Sequence, residues 1–255
     1  MSAGPVVVKL GGTTIVEQQD VLREIVDERA RRPLVVVHGG GKRLTEWLER
    51  MGVQSMWQDG RRITDEAALE VFLGVIGGVI NAELTEALCG LGARAVGVRG
   101  IDGGLIAGPR AAGLGRVISE PVADATLLRT LLDAGYLPVM APMGLDPGGR
   151  TCNVNADDAA AAVSASLGGE LVLMTDTDGV RDARGERIPE LTRDEAARLI
   201  EAGVIAGGMV PKVSSALRAL APGSAAERSV IADGRAERAL ARALHEGAGT
   251  GFRLA

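Results

Sequence analysis

Residues 6–12 of this chain are Val-Val-Val-Lys-Leu-Gly-Gly, and this run limits the folds that the chain can adopt. Three consecutive β-branched residues followed by two glycines are typical of a strand that is buried on both faces and ends in a tight turn. Such strands occur where helices cover both faces of a parallel sheet. Ligands bind to sheets of this kind at the carboxyl ends of the strands. We therefore expect an α/β fold with a site beyond residue 10.

Lys9 lies near the end of this predicted strand and allows two interpretations. Burying a lysine in an apolar run is costly unless a negative group meets it, which favours a phosphate site built with the N–H groups of the glycine turn. Alternatively, the stem packs while the ammonium reaches water. The 28 basic residues include only three lysines: Lys9, Lys42 and Lys212. Because lysine and arginine are not interchangeable at a reacting phosphoryl group, this sparing use favours the phosphate site.

Composition excludes several other classes of function. A net charge of −5 and a pI near 5.3 argue against a dedicated nucleic-acid binder. Cys89 and Cys152 form no disulfide framework, and with His38 and His245 far apart in the sequence no His/Cys metal site is expected. The first residues lack the pattern of a signal peptide, and the apolar stretch 71–80 is too short to cross a membrane. We expect a cytoplasmic protein.

A second strand followed by glycines repeats the first pattern. Residues 34–38 form a β-branched run that leads directly into Gly39, Gly40 and Gly41 and then into a helical pattern from about residue 42. The N-terminus of a helix offers free N–H groups to an anion. An ordinary turn between strand and helix is the alternative, but three consecutive glycines favour a ligand site. His38, at the strand end, is interpreted as a structural residue.

Two arginines precede the longest helical pattern. Arg61 and Arg62 could bind a carboxylate in bidentate fashion, although exposed arginine pairs are usually solvated. The pattern that follows covers residues 67–88, with Thr64 or Asp65 as its N-cap. Its glycines indicate close packing against another helix, either across a dimer contact or inside the core.

The second half of the chain supplies further polar motifs. Residues 113–122 are expected to form hairpin strands near the substrate, and the nearest domain break falls at 146–149. Four amide and carboxylate side chains lie within six positions: Asn153, Asn155, Asp157 and Asp158. This is more than the capping of one helix requires, and the surplus indicates a functional site. Lys212 falls in the first turn of a predicted helix, where a cation opposes the helix dipole and needs an anion nearby. A helix is expected to close the chain.

Five motifs taken together carry a resemblance that covers almost the whole chain. They are Val-Lys-Leu-Gly-Gly at 8–12, His-Gly-Gly-Gly at 38–41, Gly-Arg-Arg-Ile-Thr at 60–64, Asn-Val-Asn-Ala-Asp at 153–157 and Gly-Gly-Met-Val-Pro-Lys at 207–212. In this order and spacing they resemble the amino acid kinase family. The resemblance implies an αβα sandwich around a largely parallel central sheet, the carbamate kinase-like fold. It also implies an amino-acid-binding and dimerising N-terminal lobe at 1–147 and an ATP-binding C-terminal lobe at 148–255.

The resemblance further implies ATP- and Mg²⁺-dependent phosphorylation of the γ-carboxylate of N-acetyl-L-glutamate in arginine biosynthesis. Lys9 and Lys212 would neutralise the transferring phosphoryl group, and Asp157 would hold both lysines. The implied acceptor-binding residues are Gly40, Gly41, Arg62, Asn153 and Asn155. The implied nucleotide-binding residues are Gly11, Gly12, Asp176, Thr177, Asp178, Gly179, Val180, Arg181, Val204, Ile205 and Ala206. No protein ligand is assigned to Mg²⁺, because ATP oxygens would hold most of its coordination sphere.

Two further expectations concern partners and alternatives. Arginine-inhibited members of the family carry an additional N-terminal helix that links dimers into a hexameric ring. Because the first strand is predicted within the first six residues here, the resemblance points to an arginine-insensitive homodimer. Arg99 stands where the family usually has a small polar residue, which leaves its effect open. The alternative substrate is aminoadipate or glutamate attached to a carrier protein. A catalytically silent sensor is disfavoured, since both lysines and Asp157 are present.

Overall fold

The computed structural model describes residues 4–11, 19–58, 60–220, 224 and 226–253. The strands are β1 (Val6–Leu10), β2 (Leu34–His38), β3 (Met56–Gln58), β4 (Arg61–Ile63), β5 (Ala95–Arg99), β6 (Ile106–Ala107), β7 (Val117–Ile118), β8 (Val122–Ala123), β9 (Leu137–Ala141), β10 (Met143–Leu145), β11 (Thr151–Val154), β12 (Glu170–Thr175), β13 (Glu190–Thr192), β14 (Ser229–Asp233) and β15 (Thr250–Arg253). The α-helices are α1 (Gln19–Arg29), α2 (Gly41–Arg50), α3 (Glu66–Gly74), α4 (Asn81–Gly90), α5 (Thr126–Asp133), α6 (Ala156–Leu167), α7 (Arg193–Glu201), α8 (Met209–Ala219) and α9 (Ala239–His245). A π-helical segment (Val75–Ile80) joins α3 to α4, and a short 3₁₀ turn (Asp102–Gly104) follows β5.

The central sheet has eight strands in the order β13-β15-β14-β12-β1-β2-β9-β5. Its pairings are parallel except for β14 with β15. A five-stranded mixed sheet, β7-β11-β10-β6-β8, and the β3–β4 hairpin complete the strand pairing. The predicted α/β fold with a largely parallel sheet is therefore confirmed.

Helices cover both faces of the central sheet. Along β1, Val7 faces the core layer under α5, α6, α7 and α8, while Val6 and Val8 face the layer under α1, α2, α3, α4 and α9. All three valines are fully buried, and so is every residue of β2. Each such side chain contributes about 1.5–3 kcal/mol on burial. This two-sided burial is why β1 and β2 read as unbroken apolar runs, and it places Lys9 in the middle of the sheet.

The long helical pattern forms one continuous helix, which extends beyond the apolar stretch 71–80 at both ends. It spans Glu66–Gly90, 25 residues with a mean hydropathy of 1.6 over its most apolar window, which satisfies the length and composition of a membrane span. Half of that window is buried inside the protein. At Gly77 a Cβ would lie 2.8 Å from Met143 Cε, whereas Gly74 and Gly78 are exposed. Core packing therefore accounts for one side of this helix, and the dimer contact stays a prediction.

The structure confirms the predicted N-cap of α3, but it differs from the sequence predictions at residues 113–122 and at the last described element. Asp65 is the N-cap of α3 and accepts a hydrogen bond from the Ala68 N–H. The hairpin expected at 113–122 is wrong: β7 pairs with β11 and β8 with β6, so the two short strands lie at opposite edges of the five-stranded sheet. The last described element is not a helix, because β15 follows α9 and pairs with β14 and β13.

The turn at residues 146–149 joins two strands that pair with each other. Gly149 N–H donates to the Asp146 carbonyl, and β10 and β11 run antiparallel on either side. The chain thus passes from the first half to the second within a tight hairpin. The division into two lobes at this point stays a prediction.

Candidate active site

Two cavities meet at the carboxyl end of β1. The first, of about 240 Å³, is lined by residues from β1, the turn after β2, the β3–β4 hairpin and β11, including Lys9, Arg62 and Asn153. The second, of about 830 Å³, is lined by residues of the turn after β12 and the start of α8, including Asp176 and Lys212. Gly60, Asn155 and Asp157 line both cavities. A group bound in one cavity is therefore adjacent to a group bound in the other.

The charge centre at this junction consists of Lys9, Asp157 and Lys212. Lys9 Nζ lies 2.8 Å from Asp157 Oδ1, and Lys212 Nζ lies 3.6 Å from Oδ2 of the same carboxylate. Burial raises the pKa of Asp157, but the two ammonium groups outweigh this and hold the pKa below its usual value. Two cations and one anion leave a net positive charge beside both cavities. Asp157 is also the anion that the position of Lys212 in the first turn of α8 led us to expect.

The absence of a side chain at Gly11 leaves room for the Lys9 ammonium. A Cβ at Gly11 would lie 2.4 Å from Lys9 Nζ and 3.1 Å from the Met174 carbonyl oxygen. Any larger residue would therefore displace the ammonium from the end of β1. Gly11 lines the first cavity, and its predicted companion Gly12 lies outside the described residues.

The turn after β2 presents a helix N-terminus to the first cavity. Gly40 precedes α2 with φ of 141°, and a Cβ there would lie 2.4 Å from Ile80 Cδ1. Gly40 has no side chain to cap α2, and Gly40 and Gly41 both line the first cavity. The free N–H groups of the first turn are therefore available to an anionic ligand.

His38 is a structural residue, as expected. It is fully buried, its Nδ1 lies 2.9 Å from the Gly39 carbonyl oxygen and its Nε2 lies 3.1 Å from Asn81 Nδ2. A carbonyl only accepts, so Nδ1 carries the proton and Nε2 accepts from the amide. Burial lowers the pKa of His38 to about 4, against a smaller raising effect of the Gly39 hydrogen bond. The neutral ring joins β2 to the start of α4.

Arg62 is a buried cation held by neutral groups. Its Nη1 donates to Ser55 Oγ at 2.5 Å, its Nη2 donates to Thr45 Oγ1 at 2.7 Å, and its guanidinium lies 4.4 Å from the centre of the Trp57 ring. Burial lowers the pKa of Arg62, yet a guanidinium stays charged at neutral pH. Within the part of the chain that the structure describes, no carboxylate forms an ion pair with it. A fixed, uncompensated guanidinium in a cavity wall suits a carboxylate ligand.

Asn153 and Asn155 differ in how their side chains are used. Asn153 Nδ2 donates to Thr64 Oγ1 at 3.1 Å, which ties β11 to the loop before α3 while the residue lines the first cavity. Asn155 is the N-cap of α6, and its Oδ1 accepts from the N–H groups of Asp157 and Asp158. Capping therefore occupies the Asn155 oxygen and fixes Asp157 in the first turn of α6.

The predicted nucleotide-binding residues do not all face one cavity. Asp176 and Thr177 line the second cavity, whereas Asp178 lines a separate cavity of about 200 Å³ beside β14 and α9 and forms an ion pair with Arg181 at 2.9 Å. The Val180 N–H donates to Thr250 Oγ1. The side chains of two members of this set lie in the core, so those residues could contact a ligand only through their backbone: Val180 and Ile205. The structure places the rest of the set as follows: Gly179 packs against Thr250, Val204 is partly buried and Ala206 is exposed.

Sequence reasoning missed several residues at the site. Trp57, Thr45 and Ser55 position Arg62, but none belongs to a recognisable motif. Gly60 belongs to both cavities, and its place in the Gly-Arg-Arg motif was the signal that could have indicated this. The described residues include no group of three or more His, Cys, Asp or Glu side chains placed to hold a metal ion.

Comparison of the sequence with known proteins identifies a family model and several relatives. A family model described as the amino acid kinase family matches residues 4–232. The acetylglutamate kinase of Rubrobacter xylanophilus is 44% identical over 245 residues, which is 95% of this chain and 94% of that protein. The acetylglutamate kinase of Geobacillus kaustophilus is 41% identical over 84% of this chain and 85% of its own length.

Solved structures share the fold of this chain. N-acetylglutamate synthase from Neisseria gonorrhoeae, in complex with coenzyme A and N-acetyl-glutamate, superposes with a TM-score of 0.82 at 27% identity over 99% of this chain. This chain spans 60% of that structure. Giardia carbamate kinase superposes over the whole of both chains with a TM-score of 0.70 at 16% identity, which supports the fold alone.

Proposed function

This chain belongs to the amino acid kinase family, and we propose that it transfers the γ-phosphoryl group of ATP to the γ-carboxylate of N-acetyl-L-glutamate. The products would be N-acetyl-L-glutamyl 5-phosphate and ADP, in arginine biosynthesis. Relatives named acetylglutamate kinase, 34–44% identical over most of the chain, support the choice of substrate. The observation that carries the proposal is the Lys9–Asp157–Lys212 centre at the junction of two cavities.

The chemistry requires charge and position more than acid–base catalysis. A side-chain carboxylate has a pKa of about 4.3, so the acceptor is already an anion near neutral pH and needs no general base. Both reactants are then negative, and the reaction needs groups that hold two anions together and stabilise the charge on the transferring phosphoryl group. Two ammonium groups and the N–H groups of a helix N-terminus meet this need. Asp157 fixes the ammonium groups and does not take part in proton transfer.

In this proposal the first cavity binds the acceptor. Arg62 would pair with its α-carboxylate, because the guanidinium is held rigidly and has no acidic partner among the described residues. Gly40 and Gly41 would donate backbone N–H groups, and Asn153 and Asn155 would contact the acetylamino part. Lys9, in the wall of the cavity, would meet the γ-carboxylate as it receives the phosphoryl group.

The second cavity would bind the nucleotide. Lys212 would contact the phosphates in this cavity, and Gly11, in the wall of the first cavity, would meet the phosphoryl group at the junction. Asp176 and Thr177 would contact the nucleotide with their side chains, and the other residues of 176–181 and 204–206 would do so only where their backbone reaches it. Mg²⁺ would be held chiefly by phosphate oxygens, which fits a site whose described residues offer no cluster of metal ligands. When bound with ATP, Mg²⁺ would offset phosphate charge. We also propose a cytoplasmic homodimer, by analogy with the family.

The test is a hydroxylamine trap for acyl phosphate. Purified protein would be incubated with MgATP and N-acetyl-L-glutamate, with free glutamate and N-acetyl-aminoadipate in parallel reactions. Hydroxamate formed with N-acetyl-L-glutamate and not with free glutamate is the expected result. If the protein binds ATP but gives no product with any free amino acid, the proposal is wrong, and the carrier-bound acceptor becomes the next substrate to assay.

A further inference from the structure

Asp158, the residue after the charge centre, is a buried carboxylate that three groups from two other elements approach. Ser215 Oγ donates to Oδ1 at 2.7 Å, and Arg218 Nη1 lies 3.3 Å from the same oxygen. Arg61 Nη2 lies 3.6 Å from Oδ2. Asp158 is 4% exposed, whereas the side chains of Arg61 and Arg218 are 34% and 33% exposed, so a buried carboxylate is held by two cations that reach solvent. The carboxylate therefore links β4 to α8 through α6.

Each of the two linked elements carries a residue that we assign to substrate. Arg61 is adjacent to Arg62 on β4, and the turn before it supplies Gly60 to both cavities. On the other side, Ser215 lies one helical turn beyond Lys212 on α8. Arg218 Nη1 also lies 3.5 Å from the Ser119 carbonyl oxygen, which adds a contact between α8 and the first half of the chain.

Asp158 itself does not line either cavity in the part of the chain that the structure describes. Successive residues of an α-helix point about 100° apart, so Asp157 faces the ammonium groups while Asp158 faces α8 and the hairpin. A substitution of Asp158 therefore alters how the walls of the two cavities are held together without removing a group that would touch either ligand.

We propose that Asp158 is a positioning residue that couples the occupancy of the two cavities. This inference rests on the proposed function. A carboxylate bound to Arg62 restrains the hairpin, the hairpin restrains Arg61, and Asp158 passes this restraint to the helix that holds Lys212 against the nucleotide phosphates. Because binding couplings are reciprocal, the nucleotide must raise the affinity for the acceptor by the factor by which the acceptor raises the affinity for the nucleotide.

The experiment is a calorimetric titration of each ligand alone and with the other at saturation. The ligands are N-acetyl-L-glutamate and the Mg²⁺ complex of a non-hydrolysable ATP analogue. For each ligand, the coupling ratio is its Kd measured alone divided by its Kd measured with the other ligand at saturation. For the wild type we expect this ratio to be about 5 or more. Asp158→Asn keeps the shape and a hydrogen-bonding partner for Ser215 but loses the charge. It should bring the ratio close to one while the Kd of each ligand alone changes less than about twofold.

Variants on the other side of the ion pair test the same link. Arg61→Met should lower the ratio, and Arg61→Lys should restore part of it. Adding Arg61→Met to Asp158→Asn should cause no further loss, since Asp158→Asn already removes the charge with which Arg61 pairs. Arg23→Met is the matched control, because Arg23 forms an exposed ion pair with Asp20 on α1, away from both cavities. Arg61 also lines the first cavity, so its variants test the link through the ratio and not through the Kd of either ligand alone; if Asp158→Asn does not fold, they carry the test in this form.

The outcomes separate this inference from the proposed function. A ratio that survives Asp158→Asn or Arg61→Met overturns the inference, as does a wild type that binds both ligands and forms acyl phosphate without coupling. An Asp158→Asn protein with weaker binding of each ligand and an unchanged ratio has lost only structure, which also overturns it. A wild type that does not bind N-acetyl-L-glutamate overturns the proposed function and this inference together.

Discussion

Replacing Lys9 by methionine removes the ammonium at the junction of the two cavities while keeping a side chain of similar length. The stem of Lys9 lies within the central sheet, where its strand neighbours are Leu173 and Val37. Methionine suits such surroundings because it is unbranched and apolar. We therefore expect Lys9→Met to fold and to lose the charge that the proposed reaction needs.

The size of the loss follows from burial. The Lys9 side chain is 8% exposed, so its charge acts on a transferring phosphoryl group with little screening by water. Loss of one preorganised donor from a water-excluded site costs about 10²–10³ in kcat, or about 3–4 kcal/mol. Asp157 keeps Lys212 at 3.6 Å, so its charge stays partly compensated. We expect destabilisation below the roughly 3–5 kcal/mol typical of a broken buried ion pair.

The assay is hydroxamate formation with MgATP and N-acetyl-L-glutamate, from which kcat and both KM values are obtained. Urea unfolding of the same preparation separates a catalytic loss from a folding loss. Lys42→Met is the matched control, because Lys42 is the remaining lysine of the chain, is exposed, and does not line the first or second cavity. Its kcat should stay within about twofold of the wild type.

A folded Lys9→Met protein whose kcat lies within threefold of the wild type would refute the role given to Lys9. A loss confined to the KM for the acceptor would also contradict it, because that pattern indicates binding shared by ground state and transition state.

Three further predictions concern other parts of the site. Arg62→Ala should raise the KM for N-acetyl-L-glutamate about 10- to 100-fold with little change in kcat, as expected for a lost carboxylate partner worth about 1.5–3 kcal/mol; steady-state kinetics at saturating MgATP check this, and a large fall in kcat alone would contradict it. His38 has a folded pKa of about 4, below its unfolded value of about 6.5, so its contribution to stability is complete above pH 6.5 and is lost as the pH falls towards 4. Urea unfolding between pH 7 and 4.5 should show a fall in the free energy of unfolding of about 2 kcal/mol that is absent in His38→Asn. An equal dependence of the free energy of unfolding on pH in the two proteins would contradict the assignment. Chelation by EDTA should abolish hydroxamate formation and added Mg²⁺ should restore it, with the concentration required rising with that of ATP; a requirement independent of ATP would indicate a site on the protein.

The sequence was informative about the central sheet and less so about its borders. Strands such as β1 and β2 are buried on both faces, so their β-branched residues form unbroken runs. Such strands can be predicted from the sequence alone. Strands of two residues, such as β7 and β8, are too short to show a period of two, and their partners are set by the five-stranded sheet. The strand β15 was missed because Phe252 is its only large apolar residue.

At the site, motifs identified single residues and the fold determined their contacts. The resemblance carried by the five motifs implied that Asp157 holds both lysines, and the two distances from its carboxylate agree. Contacts that depend on docking left no pattern in the sequence, such as the approach of Ser215 and Arg61 to Asp158. The individual functions of these residues remain predictions.

The wall shared by the two cavities has a kinetic and stereochemical consequence. Because Gly60, Asn155 and Asp157 border both spaces, a donor in one cavity and an acceptor in the other would lie side by side at the same time. A phosphoryl group that moves directly from one to the other is displaced in a single in-line step. Double-reciprocal plots for the two substrates should then intersect rather than run parallel, and an ATP made chiral at its γ-phosphorus should yield an acyl phosphate of inverted configuration.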